Sequence, residues 1–388
     1  MNVIVIGGGI GGLCLAQGLR KAGISVAVYE RDASPDARTQ GYRLNVEPAG
    51  SAALRDCLPP TLWHELVATA GDPGRGMGVF DEQLRLLMRE NGTESTDPAT
   101  SCHAVSRRTL RGILLTGLDD VVRFGKEFLR YEQHPDGTVT AFFTDGTTAT
   151  GDLLVGADGV RSRVRAQLLP HAEVVTTPGC GVGGKVPLDS SWLPEALLTS
   201  KNMILPHEDF LFTAVFRRRE QTGADERDYL MWAFVADSTA IPPRADLRAA
   251  VSERAAGWHP ALRRMITESD AVERFAFTRA VKPLPWHGTT VTLLGDAAHC
   301  MPPVGGLGGN TAMRDAQLLC RLVATGQPDA VAAYEAEMLD YGFTAVREAS
   351  RYLRLAISPS RTLRHTARAF FSLCGKVDPL RRVVFNDS

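Results

Sequence analysis

The sequence predicts an α/β fold: a Rossmann-like domain, an inserted and mostly antiparallel β-sheet domain of α+β character, and a C-terminal helical segment. Three observations predict it. The first thirty residues read strand, glycine-rich turn, helix, strand. From about residue 172 the chain changes to strand-like runs with aromatic alternation. At residues 290–315 a buried strand, glycines and a helix start recur, which returns the chain to its first domain.

The opening is the most informative stretch. Val3-Ile4-Val5-Ile6 is a β-branched run suited to a strand buried on both faces. Gly7, Gly9 and Gly12 then fit G-x-G-x-x-G. Gly7 allows a tight strand-to-helix turn, Gly9 lets a pyrophosphate approach bare backbone, and Gly12 lets the helix pack close to the sheet. Residues 13–23 have helical apolar spacing and a stop at Gly23. A second strand, 24–29, ends at Glu30, where a carboxylate can accept from ribose hydroxyls. The helix N-terminus offers free N–H groups and partial positive charge to phosphates. Glycine is common here, 37 of 388 residues, so the ordered context carries the weight and not the motif alone.

Composition narrows the class. A length of 388 residues suits two or three domains. Hydrophobic residues at 44% and charged residues at 22% describe an ordinary globular protein. A net charge of -1 leaves no footprint for nucleic acid or an anionic membrane. The seven cysteines are scattered with no C-x-x-C, which predicts reduced thiols and no metal site. The N-terminal apolar run is too short for a span and lacks a basic leader, so a cytoplasmic location is expected.

The remaining elements follow in order. Residues 31–41 read as a polar loop, 41–46 as a strand, 47–58 and 61–70 as helices, and 71–78 as a glycine-rich turn. Residues 77–80 and 85–88 form a hairpin, and 91–101 a loop. Residues 105–115 pass from a strand end into a helix, with Ser106 at its N-cap. Arg107 stands in the first turn, where the dipole favours acids, so it reads as a partner for an anion. Residues 121–125 read as a strand and 131–150 as two more. A buried strand then ends at Asp158-Gly159 and leads into a basic run, Arg161, Arg163 and Arg165. The middle region shows strands at 202–205, 210–217, 229–235 and 272–278, and a helix at 246–257, with helices on one side of the sheet. Strand 290–294 runs into Asp296, a candidate hydroxyl acceptor, then the loop Gly305 to Gly309 and a helix opening at Asn310. Residues 329–371 are largely helical, with a break at Ser358-Pro359. The expected domains are 1–75, 101–171 and 279–328; 76–100 and 172–278; and helices in 329–388.

Four motifs together resemble the group A flavoprotein monooxygenases, the para-hydroxybenzoate hydroxylase family. They are the glycine motif with Glu30-Arg31, Arg107 in Arg-x-x-Leu, Asp158-Gly159, and Gly295-Asp296 through Asn310, and they cover residues 7 to 315. The resemblance implies one non-covalent FAD. Gly7, Gly9, Gly12, Glu30 and Arg31 would hold its adenosine diphosphate, Arg107 would contact the flavin, and Asp158 would support use of both FAD and NAD(P)H. Asp296 would bind the ribityl chain, with Pro303, Gly308, Gly309 and Asn310 beside the flavin. Only one dinucleotide fold is visible, so NAD(P)H is a transient co-substrate, with Arg43 a contributor. The family forms a flavin C4a-hydroperoxide from O2, so no catalytic side chain is expected. His299 is accordingly read as structural, and His103 and His207 as lone surface residues. Leu307 replaces a glutamine common in the family, which removes a polar contact near the isoalloxazine. Several strings look most like tetracycline-inactivating monooxygenases and actinobacterial hydroxylases of aromatic natural products. From the length, the thioredoxin-like extra domain of larger members is not expected.

The substrate is expected between the inserted sheet and the flavin. Met203, Phe212, Met231, Trp232 and Phe234 would line it from the sheet, with Pro303 and Val304 from the flavin side. These residues predict a hydrophobic aromatic or polycyclic substrate. The expected activity is an FAD-dependent, NAD(P)H-using monooxygenase that hydroxylates or epoxidises it in natural-product biosynthesis or antibiotic inactivation, acting as a monomer or weak homodimer. The alternative is an FAD-dependent oxidase or dehydrogenase that inserts no oxygen. A halogenase would need W-x-W-x-x-I, which is absent. Asp296 is expected to be buried and to matter more for FAD affinity than Glu30, nearer the rim.

Overall fold

A computed structural model of the chain describes residues 1–37, 43–71, 76–90, 92, 95–198, 201–218, 228–286 and 290–377. Parts of five expectations lie outside the described residues: 38–42 of the first polar loop and the strand after it, 72–75 of the glycine-rich turn, 91 and 93–94 of the loop, and 378–388 of the C-terminal segment. The chain divides into two compact units. The first comprises Met1–Ala70, Asp97–Val175 and Thr278–Ser350; the second comprises Gly71–Thr96, Thr176–Phe277 and Arg351–Ser388. The C-terminal helices are therefore shared out: Ala330–Ala356 belongs to the first unit through Ser350, and Arg361–Lys376 to the second.

The first unit is built on a five-stranded parallel sheet. Its order is Val291–Leu293, Leu153–Gly156, Asn2–Ile6, Ser25–Tyr29, Val122–Arg123. Val3 to Ile6 and Leu153 to Val155 are all buried, as a sheet covered on both faces requires. Helix Ile10–Lys21 crosses back over the sheet and packs against helix Leu307–Ala324. Glycine makes that packing close: a Cβ at Gly11 would lie 3.2 Å from the Ala312 Cβ, and one at Gly18 would lie 3.0 Å from the Cys320 Sγ. Gln17 ties the same helix to Arg107–Leu115 through the carbonyls of Leu114 at 2.9 Å and Thr116 at 3.0 Å. The segment read as two strands contains a three-stranded antiparallel sheet, Phe128–Gln133, Val139–Phe143 and Thr148–Gly151. Two reversing turns divide a stretch into three, and both turns close with backbone hydrogen bonds, His134 N to Thr138 O and Phe143 N to Thr147 O.

The second unit is a seven-stranded sheet in the order Val272–Ala280, Val174–Pro187, Tyr229–Asp237, Phe210–Phe216, Lys201–Ile204, Met77–Phe80, Leu86–Glu90. It includes one parallel pairing, Lys201–Ile204 against Met77–Phe80. Its longest strand, Val174–Pro187, was not expected, because Pro178 and glycines 179, 181, 183 and 184 argue against a strand. The reason lies in its neighbours. A Cβ at Gly181 would come within 2.7 Å of the Phe277 ring, and one at Gly184 within 3.0 Å of the Trp232 ring. Gly181 and Gly184 are spaces that aromatic rings fill, and Gly179 makes room for the Leu353 side chain.

Helices Leu247–Arg254 and Pro260–Thr267 cover one face, burying Val251, Leu262, Met265 and Ile266 against Leu211, Leu230, Trp232 and Phe234. The second of these helices was also unexpected, although Ala261, Leu262, Met265 and Ile266 repeat at helical spacing. Helices are not confined to that side. Cys374 of helix Arg361–Lys376 packs with Val79 and Met88 of the edge hairpin. No helix among the described residues is long and apolar enough to cross a membrane.

The glycine strand sets up a stability test. Gly181→Val should destabilise the protein by about 1–3 kcal/mol in urea unfolding, because the Phe277 ring must move. Gly257→Ala, where a Cβ meets open space, should stay within about 0.5 kcal/mol of wild type.

Candidate cofactor site

The parallel register gathers the motifs. Ile6 pairs with Gly156, and Gly156 pairs with Leu293. The residues that follow, Gly7, Asp158 and Asp296, therefore leave the carboxyl edge of three adjacent strands. That edge is where ligands bind in open α/β sheets, at the point where the strand order reverses.

The three motif glycines have different reasons. Gly7 has φ +111, and a Cβ there would run into the Ala157 carbonyl. A Cβ on Gly12 would strike the Gly7 carbonyl and lie 3.3 Å from the Ala157 Cβ. The protein's own packing demands both. Gly9 is different: its φ is -78, open to any residue, and a Cβ there meets nothing within 4 Å. The fold does not need glycine at Gly9, so its bare backbone fits the close approach of a ligand. The helix behind it has no side-chain cap and no acid in its first turn, which leaves its N–H groups and partial positive charge for an anion.

Glu30 is 2% exposed, so it is not the rim residue expected. Its carboxylate accepts from Gly8 N at 2.6 Å and Asp32 N at 2.9 Å, which holds the glycine turn against the second strand. Arg31 is exposed. Arg111, not singled out from sequence, sends Nε to the Gly8 carbonyl at 3.4 Å and Nη1 to the Pro35 carbonyl. Its Nη2 is buried with no hydrogen-bond partner among the described residues. The signal for it was its place one helical turn after Arg107.

Asp158 accepts from Arg163 N at 2.7 Å and Val164 N at 3.3 Å, so one oxygen ties down the turn before helix Arg163–Leu168. Burial raises its pKa, and its other oxygen is buried with no partner among the described residues. Arg165 then links two motifs, donating to Val160 O at 2.7 Å and to Ala297 O at 2.8 Å.

Asp296 is solvent-accessible and not buried as expected. It is nevertheless hemmed in: desolvation raises its carboxyl pKa, opposed by the charges of His299, Arg107 and Arg165. Arg107, exposed at the start of its helix, is thus close enough for its charge to act on Asp296. Ser106 occupies the N-cap position without capping: its hydroxyl is buried and unbonded among the described residues. Arg43 is 7% exposed and pairs across the short ladder with Ser106, next to Arg107.

The helix after the second glycine loop begins at Leu307 and not at Asn310, so Gly308 and Gly309 lie in its first turn. A Cβ on Gly309 meets open space, and one on Gly308 has nothing nearer than 3.8 Å, the distance to an Asp296 carboxylate oxygen. The Asn310 amide is spent on the protein: it receives Glu47 N at 2.9 Å and donates to Asn45 O at 2.9 Å and Gly306 O at 3.1 Å. Pro303 is exposed and Val304 half-buried.

His299 is fully buried and bonds Asp315 at 2.7 Å, in line with a structural role. Two other histidines correct their readings. His103 is 3% exposed and contacts Pro98 O at 2.8 Å. His207 is exposed, but lies 3.6 Å from Glu82 and beside Arg368.

In the second unit, the candidate pocket residues divide by strand parity. Met203 pairs with Phe212 and Phe212 with Ala233, so Met203, Phe212, Met231 and Ala233 share one face. Met203 packs there against Val79, Met88 and Cys374, and Phe212 and Met231 are half-buried. Trp232 and Phe234 point to the other face and are 0% exposed in the helix-covered core, with the indole N–H on Ser269 at 2.7 Å. The expectation that all five form one lining is corrected: successive residues of a strand, such as Met231 and Trp232, face opposite ways.

Fold and strand-edge site together define a flavoprotein with a dinucleotide-binding α/β domain. The chain belongs to the FAD-binding domain family, whose model matches residues 1–349. It is 32% identical over 376 residues to the dual O-methyltransferase/FAD-dependent monooxygenase elcB of Phaeosphaeria nodorum, covering 84% of this chain and 40% of that protein. The chain thus spans less than half the length of that relative. Among solved structures, an FAD-containing monooxygenase, so described, from Photorhabdus luminescens is 33% identical, with TM-score 0.82 and coverage of 92% and 98%. Klebsiella pneumoniae HpxO, solved with FAD and uric acid, is 25% identical, with TM-score 0.81 and coverage of 96% and 93%. The tetracycline destructase Tet(51), at 17% identity, TM-score 0.66 and coverage of 96% and 95%, shares the fold.

The residues fit the group. The uncapped helix with bare Gly9 suits a diphosphate, Arg111 adds a buried cationic donor, and Asp296 offers a carboxylate acceptor. Gly9→Ala should leave apoprotein stability within about 0.5 kcal/mol of wild type yet weaken FAD binding at least about tenfold, read by melting and by FAD titration. Gly7→Ala should instead destabilise the apoprotein by more than about 1 kcal/mol.

His299 yields a pH prediction. Burial alone would lower its pKa, but Asp315 and then Asp296 outweigh burial and raise it above the ordinary 6.5. A raised folded pKa contributes stability in full below the unfolded value, and the contribution is lost as pH rises through the folded value. Wild-type stability should therefore fall from about pH 6.5 upward, and His299→Gln should flatten that slope. Parallel urea-unfolding profiles would assign the titration to another group.

Proposed function

We propose that the chain is an FAD-dependent monooxygenase that uses NAD(P)H and O2 to hydroxylate or epoxidise a hydrophobic aromatic or polycyclic small molecule. The observation that carries this reading is the strand-edge cluster, Gly9, Arg107, Arg111 and Asp296, in a chain of the FAD-binding family with relatives named as monooxygenases. Bound FAD would supply the redox chemistry, accepting hydride from NAD(P)H and activating O2. The protein's part is binding and placement. Arg107 and Arg165 supply positive charge near Asp296, and the glycine turn with Glu30 and Arg111 grips the other end of the cofactor. NAD(P)H visits without a domain of its own, with Arg43 a contributor.

We assign Phe212 and Met231, on the face away from the paired helices, to the apolar body of the substrate. Pro303 and Val304 are retained as contributors from the cofactor loop. The apolar side chains of Met203, Phe212 and Met231 on that face favour a ring compound over a sugar. Natural-product biosynthesis or antibiotic inactivation is the setting that suits such a substrate.

The test begins with a panel of hydroxylated naphthalenes and anthraquinones, scored for acceleration of NAD(P)H oxidation. The accelerating compound is then turned over under labelled O2, and the product should gain one labelled oxygen atom. Flavin reduction by the organic substrate alone, with no label in the product, would establish the oxidase or dehydrogenase reading instead. Phe212→Ala should raise KM for that compound about tenfold with FAD affinity unchanged. Trp232→Ala should act through the fold, costing about 3–5 kcal/mol of stability.

A further inference from the structure

Asp296 has a carboxylate that makes no hydrogen bond among the described residues. Its position therefore depends on its backbone. Gly295, just before it, stands at φ +64 and ψ -139, and its N–H is donated to the Asp315 carboxylate at 2.8 Å. Asp315 is 0% exposed and belongs to helix Leu307–Ala324. It receives two more donors, His299 Nε2 at 2.7 Å and the Tyr341 hydroxyl at 2.6 Å. A buried carboxylate is costly unless donors surround it, and these three come from the loop on both sides of Asp296 and from the long helix Ala330–Ala356. That helix also presses on the imidazole: a Cβ at Gly342 would lie 2.6 Å from His299 Cδ2.

We propose that Asp315 is a positioning residue for FAD: braced by His299 and Tyr341, it fixes the Gly295 N–H and so sets the Asp296 carboxylate for the cofactor. The proposal rests on the reading of Asp296 as an FAD contact. Asp315 touches no cofactor itself. It closes a ring of contacts around the turn that carries Asp296, and Tyr341 extends the brace to a helix that holds none of the four motifs.

A neighbouring tyrosine supplies the control. Tyr334 is on the same helix, is fully buried, and donates to Leu293 O at 2.8 Å, without any bond to Asp315. A general loss of stability from this helix should follow either tyrosine; a positioning role should follow Tyr341 alone.

The experiment is titration of apoprotein with FAD, followed by flavin fluorescence and visible circular dichroism, alongside melting of each apoprotein. Asp315→Asn should raise the FAD Kd at least about tenfold and Tyr341→Phe about threefold, while Tyr334→Phe loses comparable melting temperature with Kd within about twofold of wild type. In an Asp296→Ala background, the effect of Asp315→Asn should largely disappear, because coupled residues are not additive. If Asp315→Asn does not fold, the Tyr341→Phe and Tyr334→Phe pair carries the same contrast. An FAD Kd unchanged by Asp315→Asn or Tyr341→Phe, or an effect undiminished in the Asp296→Ala background, overturns the proposal. No effect of Asp296→Ala itself on FAD binding would instead remove the reading beneath it.

Discussion

Helix Ile10–Lys21 meets the strand before it backbone to backbone. Gly12 lies so close to the Gly7 carbonyl that no side chain fits, and Gly7 turns back on the Ala157 carbonyl with φ +111. This contact fixes where the helix begins, and the helix start fixes where an anion can be received. The neighbouring strands inherit the same geometry through their register, since Ile6, Gly156 and Leu293 end in one row. Motifs separated by more than a hundred residues thereby reach one edge.

Polar contacts then lock that edge. Glu30 holds the glycine turn through Gly8 N, Arg165 holds the Val160 turn to the Ala297 loop, and Asp315 holds Gly295. Each is a charged group bonded to backbone, the stronger kind of hydrogen bond, and each is buried. The groups that face a ligand are of another kind: accessible Asp296, and the bare backbone at Gly9 and Gly309. The division between buried groups that hold the edge and accessible groups that face outward is what makes the site preorganised. Glu30 is buried because it holds the glycine turn, whereas Asp296 stays accessible.

The parts of this arrangement legible in the sequence are those with local rules. Strand, glycines and helix follow one another within a dozen residues, so periodicity and turn chemistry reveal them. Arg107 was visible because a cation at a helix N-terminus contradicts the dipole. Asp315, Tyr341 and Arg165 gain their roles only through tertiary contact, and no spacing rule announces them. Strand Val174–Pro187 was hidden because its glycines answer to Phe277 and Trp232, which are distant in sequence. Trp232 against Met231 is a different case. Alternation already says that the two face opposite ways, but only the packing of Leu262, Met265 and Ile266 shows which face is core.

The central claim is that one FAD lies across this edge, with its diphosphate at the first helix and its ribityl chain at Asp296. A crystal structure of the FAD complex tests it most directly. The account predicts diphosphate oxygens within hydrogen-bond distance of the backbone N–H groups that follow Gly9, and a ribityl hydroxyl on the Asp296 carboxylate. A diphosphate bound away from the Ile10–Lys21 N-terminus, or an Asp296 carboxylate turned from the cofactor, would contradict it.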